Sequence, residues 1–231
     1  MVYLGEVNIL SFSRSGPLVL VLLGVLLLGT VPSALAHNPT YVGDQIVITI
    51  PDPEVSKAYY GELTGTPAVY RIESDKAFSF YLNILVPDVP GATKDFSATV
   101  TNDEGQIVTT LDGLNVTWEP WYEEFAGDTY WKGPEYRENV PAGTYVITVS
   151  NPTNIGKYVL APGEIEAFTL AGIPSTIQEL YLTKTEFFGK PWYALFEGVI
   201  GKSLLGILTI FGILVLVSLY ILRRRLTRVR S

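Results

Sequence analysis

Residues 77–86 read AFSFYLNILV and carry a clear strand signal. Phe78, Phe80, Leu82 and Ile84 recur at every second position, and successive side chains of a β-strand point to opposite faces of the sheet. The segment therefore predicts a strand that directs a row of large apolar side chains into a core.

The same two-residue period recurs on both sides of that segment. The stretches are short and rich in β-branched residues, and turn residues separate them, with turn clusters at residues 61–65 and 102–105. They comprise residues 45–50, 95–101, 106–111, 144–150, 157–161 and 165–170. This pattern predicts eight or nine strands in an all-β, antiparallel sandwich over residues 37–172.

One part of this series is similar to a known family. Residues 143–164 read GTYVITVSNPTNIGKYVLAPGE. They resemble the last strands of prokaryotic secreted domains of the pre-peptidase C-terminal type, in which a Gly-x-Tyr strand, a turn and a second strand ending in glycine follow one another. The resemblance implies a jelly-roll-like accessory domain that binds or spaces rather than reacts. Such domains are usually attached to an enzyme.

A second pattern, an uncharged run, occupies residues 204–222 near the C-terminus, LLGILTIFGILVLVSLYIL. As a helix it would span roughly 28 Å, close to the hydrocarbon thickness of a bilayer. We therefore predict a transmembrane helix over residues 199–222, with a buried core helix as the alternative. Arginines crowd the end of the run and predict a cytoplasmic tail, residues 223–231. They are Arg223, Arg224, Arg225, Arg228 and Arg230.

The N-terminus shows the pattern of a secretory signal. Arg14 precedes the apolar stretch 18–29, and the small-x-small sequence Ala34-Leu35-Ala36 follows it. We predict a signal peptide over residues 1–36, cut after Ala36, with an uncleaved signal anchor as the alternative. Together the two ends predict a single-pass, type I protein of the cell membrane whose N-terminal domain is extracytoplasmic.

The composition of the middle of the chain excludes several functions. Between residues 37 and 198, 22 acidic side chains stand against nine basic ones, which leaves a formal charge of −13. Such acidity argues against nucleic-acid binding. The chain has no cysteine and one histidine, which excludes disulfides, thiol catalysis and a metal site built from several histidines of one chain.

Residues 173–198 have a different pattern. Ile177, Leu180 and Tyr181 fall near helical spacing after Pro174. Aromatic residues, which favour the headgroup layer of a bilayer, follow at positions 187, 188, 192, 193 and 196. We predict a juxtamembrane helix and an aromatic belt.

Residues 118–145 hold the most unusual composition, with three of the four tryptophans interleaved with carboxylates. Aromatic rings stack on the apolar faces of sugars, so an exposed platform here would bind a glycan or a peptide. The alternative is that the rings fill the core, since aromatic side chains dominate cores and interfaces alike. The candidate ligand-binding residues are Trp118, Trp121, Tyr122, Tyr130, Trp131 and Tyr136.

Metal and catalytic sites have weaker signals. Acidic clusters at residues 102–104 and 123–128 are the nearest candidates for calcium but lack EF-hand spacing. His37, the new N-terminus after cleavage, could chelate copper, but we expect an exposed, mobile start. Paired carboxylates could serve a glycosidase, and Glu119, Glu123, Glu124 and Glu135 are available, although no spacing singles out a pair. We predict no catalytic residue, no metal and no cofactor.

The functional prediction is a non-enzymatic membrane protein that displays an acidic β-sandwich for binding or surface scaffolding. Its expected partners are the lipid bilayer and a glycan or protein ligand. The alternative is an accessory subunit that docks onto a larger membrane complex, and a metal-binding or hydrolytic ectodomain is a third class. Asn115, in the triplet Asn115-Val116-Thr117, is a glycosylation acceptor if the source organism glycosylates exported proteins.

Overall fold

Two β-sheets packed face to face form most of the computed structural model of this protein, which describes residues 37–167 and 169–229. Eleven strands lie in the described residues: β1 (Asn38–Gly43), β2 (Val47–Thr49), β3 (Lys57–Thr64), β4 (Ala68–Ser74), β5 (Phe78–Pro87), β6 (Ser97–Asn102), β7 (Ile107–Leu111), β8 (Glu119–Glu123), β9 (Asp128–Val140), β10 (Gly143–Ser150) and β11 (Ile155–Pro162). The all-β sandwich predicted from the alternating segments is confirmed.

The two sheets differ in size and share the chain between them. Sheet A has the order β1-β3-β11-β5-β9-β8, and sheet B has the order β2-β4-β10-β6-β7. Most neighbours are antiparallel, but β1 pairs with β3 and β2 pairs with β4 in parallel. Both β1 and β2 precede β3 in the chain, and each forms an outer edge of one sheet. The jelly-roll description stays a prediction.

The core between the sheets is apolar and aromatic. The predicted row on β5 is fully or almost fully buried, as are Phe96, just before β6, and Ala98 and Val100 on β6. The hydroxyls of Tyr70 in sheet B and Tyr158 in sheet A form a hydrogen bond of 2.8 Å. This bond connects the two sheets within the apolar core.

Some details of the strand prediction were wrong. The structure has more than eight or nine strands, and residues 61–64, expected in a turn, belong to β3. Residues 165–170 do not form a strand where the structure describes them. Ile165 makes one isolated bridge to Val55, and its side chain is 56% exposed. A strand at this position would therefore bury little apolar surface.

A helical segment follows the sandwich. Helix α1 (Ile173–Leu182) has Pro174 in its first turn, a position that proline tolerates well. A π-helical turn (Thr183–Phe187) continues it, and a 3₁₀ helix (Trp192–Phe196) leads to helix α2 (Gly198–Val229). The described residues up to Gly201 form one compact unit, and those from Lys202 onward belong to another.

Helix α2 contains the stretch predicted to cross the membrane. Within the described residues it is the one helix long and apolar enough to do so: the candidate span is Gly198–Arg224, and its most apolar 18-residue window has a mean hydropathy of 2.7. The helix continues past Leu222 through Arg223, Arg224, Arg225 and Arg228, whereas Arg230 and the signal peptide predicted at residues 1–36 lie outside the described residues. The predicted bounds of the span and the tail stay predictions.

Candidate functional site

The outer face of sheet A is divided into an apolar half and a polar half. On the apolar half, Tyr60 of β3, Leu85 of β5, Tyr130 of β9 and Val159 of β11 form a second cluster of buried side chains. Phe187 of the π-helical turn packs against them. Sheet A therefore has cores on both of its faces, and the helical segment supplies the outer one.

The polar half forms a groove of about 220 Å³, which we call the outer-face groove. Strands β5, β8 and β9 contribute its walls, together with single residues next to β1, β3 and β11. Its lining combines an indole, a phenol, an imidazole, a serine hydroxyl, an amide, a leucine and charges of both signs. The lining residues are His37, Ser56, Tyr81, Asn83, Leu85, Trp121, Lys132 and Glu164.

Asn83 is held in the groove by a β-bulge. The pairing of β5 with β9 shifts between Asn83 and Leu85, opposite Gly133 and Pro134. The Asn83 amide nitrogen donates to both of these carbonyl oxygens, at 3.2 and 3.1 Å. Because the two bonds use its donors, the amide oxygen is the group that remains to accept a hydrogen bond from a ligand.

Ion pairs and a phenol form a network along the groove. Lys132 Nζ lies 3.0 Å from Glu135 Oε2, and the Tyr81 hydroxyl donates to the same oxygen at 3.3 Å. The hydrogen bond from Lys132 lowers the pKa of Glu135, whereas burial raises the pKa of Tyr81. Arg137 Nε donates to Glu164 Oε2 at 2.9 Å. The groove thus presents positioned donors and acceptors at neutral pH.

His37 lies in this groove, and the expectation of an exposed, mobile start was wrong. Its Nδ1 is 2.6 Å from Ser56 Oγ, and Ser56 is buried. Burial lowers the pKa of His37 to about 4, against the opposing effect of Glu164. The imidazole is therefore neutral at physiological pH. The pairing of β1 with β3 brings it there, because Asn38 lies opposite Lys57.

The six aromatic residues proposed from residues 118–145 do not form one platform. Trp118, Trp131 and Tyr136 pack against the core between the sheets, whereas Trp121 and Tyr130 belong to the outer cluster. Tyr122 is 54% exposed. The alternation of β8 and β9 separates them, so Trp121 is the one of the six that lines the outer-face groove.

Two of these tryptophans have contacts that fix them in place. Trp118 donates its indole hydrogen to the Gly113 carbonyl at 2.9 Å, and a side chain at Gly133 would meet the Trp118 ring. Trp131 donates to Asp88 at 3.0 Å, with Lys94 Nζ 3.6 Å from the centre of its ring. Neither ring is free to stack on a ligand without breaking such a contact.

An ion cluster of Asp128, Lys184, Lys190 and Glu197, of which the first two are buried, attaches the helical segment to sheet A. Lys184 Nζ lies 2.8 Å from both carboxylate oxygens of Asp128, and both side chains have no exposed area. Lys190 reaches Asp128 at 2.8 Å and Glu197 at 2.9 Å. Partial burial alone would lower the pKa of Lys190, but the hydrogen bonds to these carboxylates raise it. Two positive and two negative groups make the cluster neutral.

The turn between β8 and β9 binds the start of α2. Glu123 is buried, and its carboxylate accepts from the backbone of Phe125 and Ala126 at 2.7 Å each. The carbonyls of Glu124 and Phe125 in turn accept from Val199 and Ile200 at 2.9 and 3.2 Å. Burial raises the pKa of Glu123 despite its two backbone donors.

Two glycines permit this close approach. Gly127 and Gly198 both have positive φ, +79° and +65°. A Cβ atom at either would lie less than 3 Å from the backbone of the other segment. The turn and the first residues of α2 therefore fit together only without side chains at these positions.

The other predicted sites have ordinary surroundings. Asn102 Oδ1 accepts from the backbone of Glu104 and Gln106, which is a hairpin turn, and Glu119 is exposed on β8. Among the described residues, no three His, Asp or Glu side chains are grouped where they could hold a metal ion. Asn115 is exposed on the loop before β8, and its role as an acceptor stays a prediction.

The predicted aromatic belt is split by the fold. Phe187 is buried against sheet A and Phe188 packs beside it, so the prediction was wrong for Phe187. Trp192 and Tyr193 are 63% and 61% exposed. On α1, Leu180 is buried and Ile177 is half-buried, whereas Tyr181 is 43% exposed.

Sequence reasoning missed the polar lining of the groove. Tyr81 and Asn83 occupy alternate positions of β5, opposite the apolar row that predicted the strand. An asparagine within an otherwise apolar strand was the available signal for a second functional face. Lys132 and Glu164 had no such signal, because pairing of distant strands brings them together.

The comparisons with known proteins give weak and partial similarities. No family model and no curated protein matches this chain. The pre-peptidase C-terminal domain of a collagenase from Bacillus anthracis aligns over 55% of this chain and 98% of its own, with 13% identity and a TM-score of 0.30. This match is of the same type as the resemblance in residues 143–164.

Two further solved structures are similar over parts of the chain. A CBM35 from Cellvibrio japonicus Abf62 aligns over 44% of this chain and 68% of its own, with 16% identity and a TM-score of 0.25. A beta-glucosidase from Paenibacillus barengoltzii aligns over 54% of this chain but 13% of its own, with 12% identity and a TM-score of 0.24.

Proposed function

We propose that this chain is a non-enzymatic, membrane-anchored binding protein whose outer-face groove takes a glycan or another polyhydroxylated ligand. The observation that carries the proposal is the lining of the groove. Trp121 offers an apolar ring face, while Asn83, Tyr81, Lys132 and Glu164 offer acceptors and donors beside it. Sugars need both, because their ring faces are apolar and their hydroxyls both donate and accept hydrogen bonds.

Binding is favoured over catalysis by the state of His37. A serine beside a histidine is the arrangement of a nucleophile and its base, and Ser56 and His37 are in contact. However, an effective base has a pKa near the working pH, and burial lowers the pKa of His37 to about 4. Such an imidazole takes up a proton poorly at neutral pH. We therefore assign this pair to the wall of the groove.

The anchor and its orientation complete the proposal. Helix α2 would span the cell membrane, and its arginines would stay on the cytoplasmic side because basic residues near a span resist translocation. The sandwich and its groove would then face outward, in the type I orientation. The −13 charge of residues 37–198 suits a domain that stands away from anionic lipid headgroups.

The experiment is a binding screen with the full-length protein in detergent. The protein is applied to an array of immobilised oligosaccharides, and the affinity for any retained sugar is then measured by titration calorimetry. Trp121→Ala and Glu164→Gln should each weaken binding about tenfold, which corresponds to about 1.4 kcal/mol. Tyr122→Ala is the matched control, because Tyr122 is adjacent and exposed and does not line the groove.

Two results would overturn the proposal. One is the absence of binding across the array. The other is binding that survives Trp121→Ala unchanged while the variant melts at the same temperature as wild type, because the sugar would then lie outside the groove.

A further inference from the structure

Trp192 and Tyr193 form an exposed aromatic pair at the end of the compact unit. Their side chains are 63% and 61% exposed, and their rings meet edge to face with centres 6.0 Å apart. Phe196 lies next to them, with its ring centre 6.4 Å from that of Trp192. A contiguous exposed aromatic patch, unlike a single exposed ring, indicates an interaction or membrane-contact site.

The fold holds this pair in its exposed position. Both residues lie on the 3₁₀ helix whose Ala194 is buried. Lys190 precedes this helix and Glu197 follows it, and the two form an ion pair at 2.9 Å within the ion cluster. Trp192 and Tyr193 are therefore exposed on a segment that the Lys190–Glu197 ion pair holds in place at both ends.

The position of Trp192 and Tyr193 along the chain indicates what these exposed rings contact. The apolar stretch that could cross a membrane begins at Gly198, immediately after Glu197. Its uncharged core, residues 204–222, begins about 9 Å further along the helix at 1.5 Å per residue. Between these points stands the exposed cation Lys202. Lysine, tryptophan and tyrosine beside a span are the residues that anchor at the headgroup layer.

We propose that Trp192 and Tyr193 insert into the lipid headgroup region of the bilayer and fix the depth at which α2 begins. Their ring faces would contact the upper acyl chains, while the indole N–H and the phenol O–H donate to phosphate and carbonyl oxygens. A bilayer surface fits better than a protein partner, because the pair adjoins the apolar span and combines apolar rings with polar edges. The inference rests on the membrane span of the proposed function and does not depend on the groove or its ligand.

The test measures the depth of Trp192 with brominated lipids. Full-length protein is reconstituted into phosphatidylcholine vesicles that contain a minority of phosphatidylglycerol, with bromine either near the headgroup or near the bilayer centre. Bromine near the headgroup should quench part of the tryptophan emission, and bromine at the centre should not. Trp192→Phe should abolish that quenching, because the other tryptophans, at positions 118, 121 and 131, belong to the sandwich.

A matched control places the probe elsewhere. Tyr122→Trp in the Trp192→Phe background carries an equally exposed tryptophan on β8, and its emission should stay unquenched. Equal quenching in wild type and Trp192→Phe would overturn the inference. So would quenching at position 122, which would mean that another face lies on the membrane. Shielding of Trp192 from aqueous iodide without quenching by lipid would assign the pair to a protein partner instead.

Discussion

Lys184 and Asp128 form a salt bridge with no exposed area, although 56 residues separate them in the chain. Lys184 leaves the π-helical turn, and Asp128 opens β9. The lysine also donates to the Ala126 carbonyl at 2.7 Å. The pair therefore joins the helical segment to the strand and to the turn that contacts α2.

Lys184→Met should strongly destabilise the protein. Removing one partner of a buried pair leaves the other charge without full compensation, which costs about 3–5 kcal/mol. Lys184→Met combined with Asp128→Asn should cost less than Lys184→Met alone. Urea unfolding in detergent, followed by tryptophan emission, measures these differences. Lys76→Met, at an exposed lysine, is the control and should change stability by less than about 0.5 kcal/mol. A Lys184→Met protein as stable as this control would contradict the role of the bridge.

Gly198→Ala should lower the free energy of unfolding more than alanine at another glycine with positive φ. Gly91 has a φ of +82° and open space around it, so Gly91→Ala should cost only the backbone strain, about 1–2 kcal/mol. Gly198→Ala adds a clash with the backbone of Phe125 and Ala126. The unfolding free energies of the two variants provide the comparison. Equal losses would show that the turn can move away.

The hydroxyl pair of Tyr70 and Tyr158 should behave as a coupled unit. Each Tyr→Phe change leaves the other buried hydroxyl without this partner, so each single variant should lose about 1–3 kcal/mol. The double variant should lose less than the sum, because no hydroxyl remains to be satisfied. A double-mutant cycle measured by thermal unfolding tests this, and strict additivity would show that the 2.8 Å contact contributes nothing.

Stability should fall on acidification between about pH 6.5 and pH 4 because of His37. Its pKa is about 4 in the folded protein and 6.5 when unperturbed, so the unfolded chain binds the extra proton across this window. The contribution is fully present above pH 6.5, and up to about 3 kcal/mol is lost by pH 4. His37→Gln is the control, since carboxylates titrate in both proteins. A pH profile of unfolding that is identical for the two proteins would refute this prediction.

Orientation in the membrane can be measured because the chain lacks cysteine. Tyr122→Cys and Ser231→Cys each introduce a single thiol, one on the exposed edge of the sandwich and one at the C-terminus. A membrane-impermeant maleimide should label position 122 in intact cells and position 231 only after permeabilisation. The reverse pattern would contradict the type I orientation. Replacing Arg223, Arg224 and Arg225 with glutamate should impair or invert insertion if the arginines set it.

The fold was predictable to the extent that it depends on local alternation. Strands β6 and β10 each bury one face in the core between the sheets and leave the other partly exposed, so their sequences alternate visibly. Strand β5 is buried on both faces, and its row of large apolar side chains at every second position was the signal that predicted it. Strand β3 was missed because both of its faces are partly covered, by sheet B on one side and by the helical segment on the other. A strand covered on both faces needs no polar residues at alternate positions. Strand β9 was missed because its alternation is interrupted at Gly133 and Pro134, where its pairing with β5 shifts register.

The candidate site was less predictable, because it depends on contacts between distant residues. The sequence indicated Trp121 as one of six aromatic residues, and only the register of β8 against β9 places it beside the groove. His37 has no local reason to be buried, since Ser56 lies 19 positions away. The ion cluster likewise joins lysines and carboxylates whose sequence neighbours are unrelated.

The outer strands of the two sheets bear on how the protein behaves when many copies crowd together. Strand β1 carries Pro39, and α1 covers its Tyr41 amide through Glu179 at 2.7 Å. Strand β8 carries Pro120, and β2 is three residues long. Prolines, covers and short edges block the addition of a further strand. Copies held side by side in a two-dimensional layer are thereby protected from pairing edge to edge into aggregates at three of their four sheet edges.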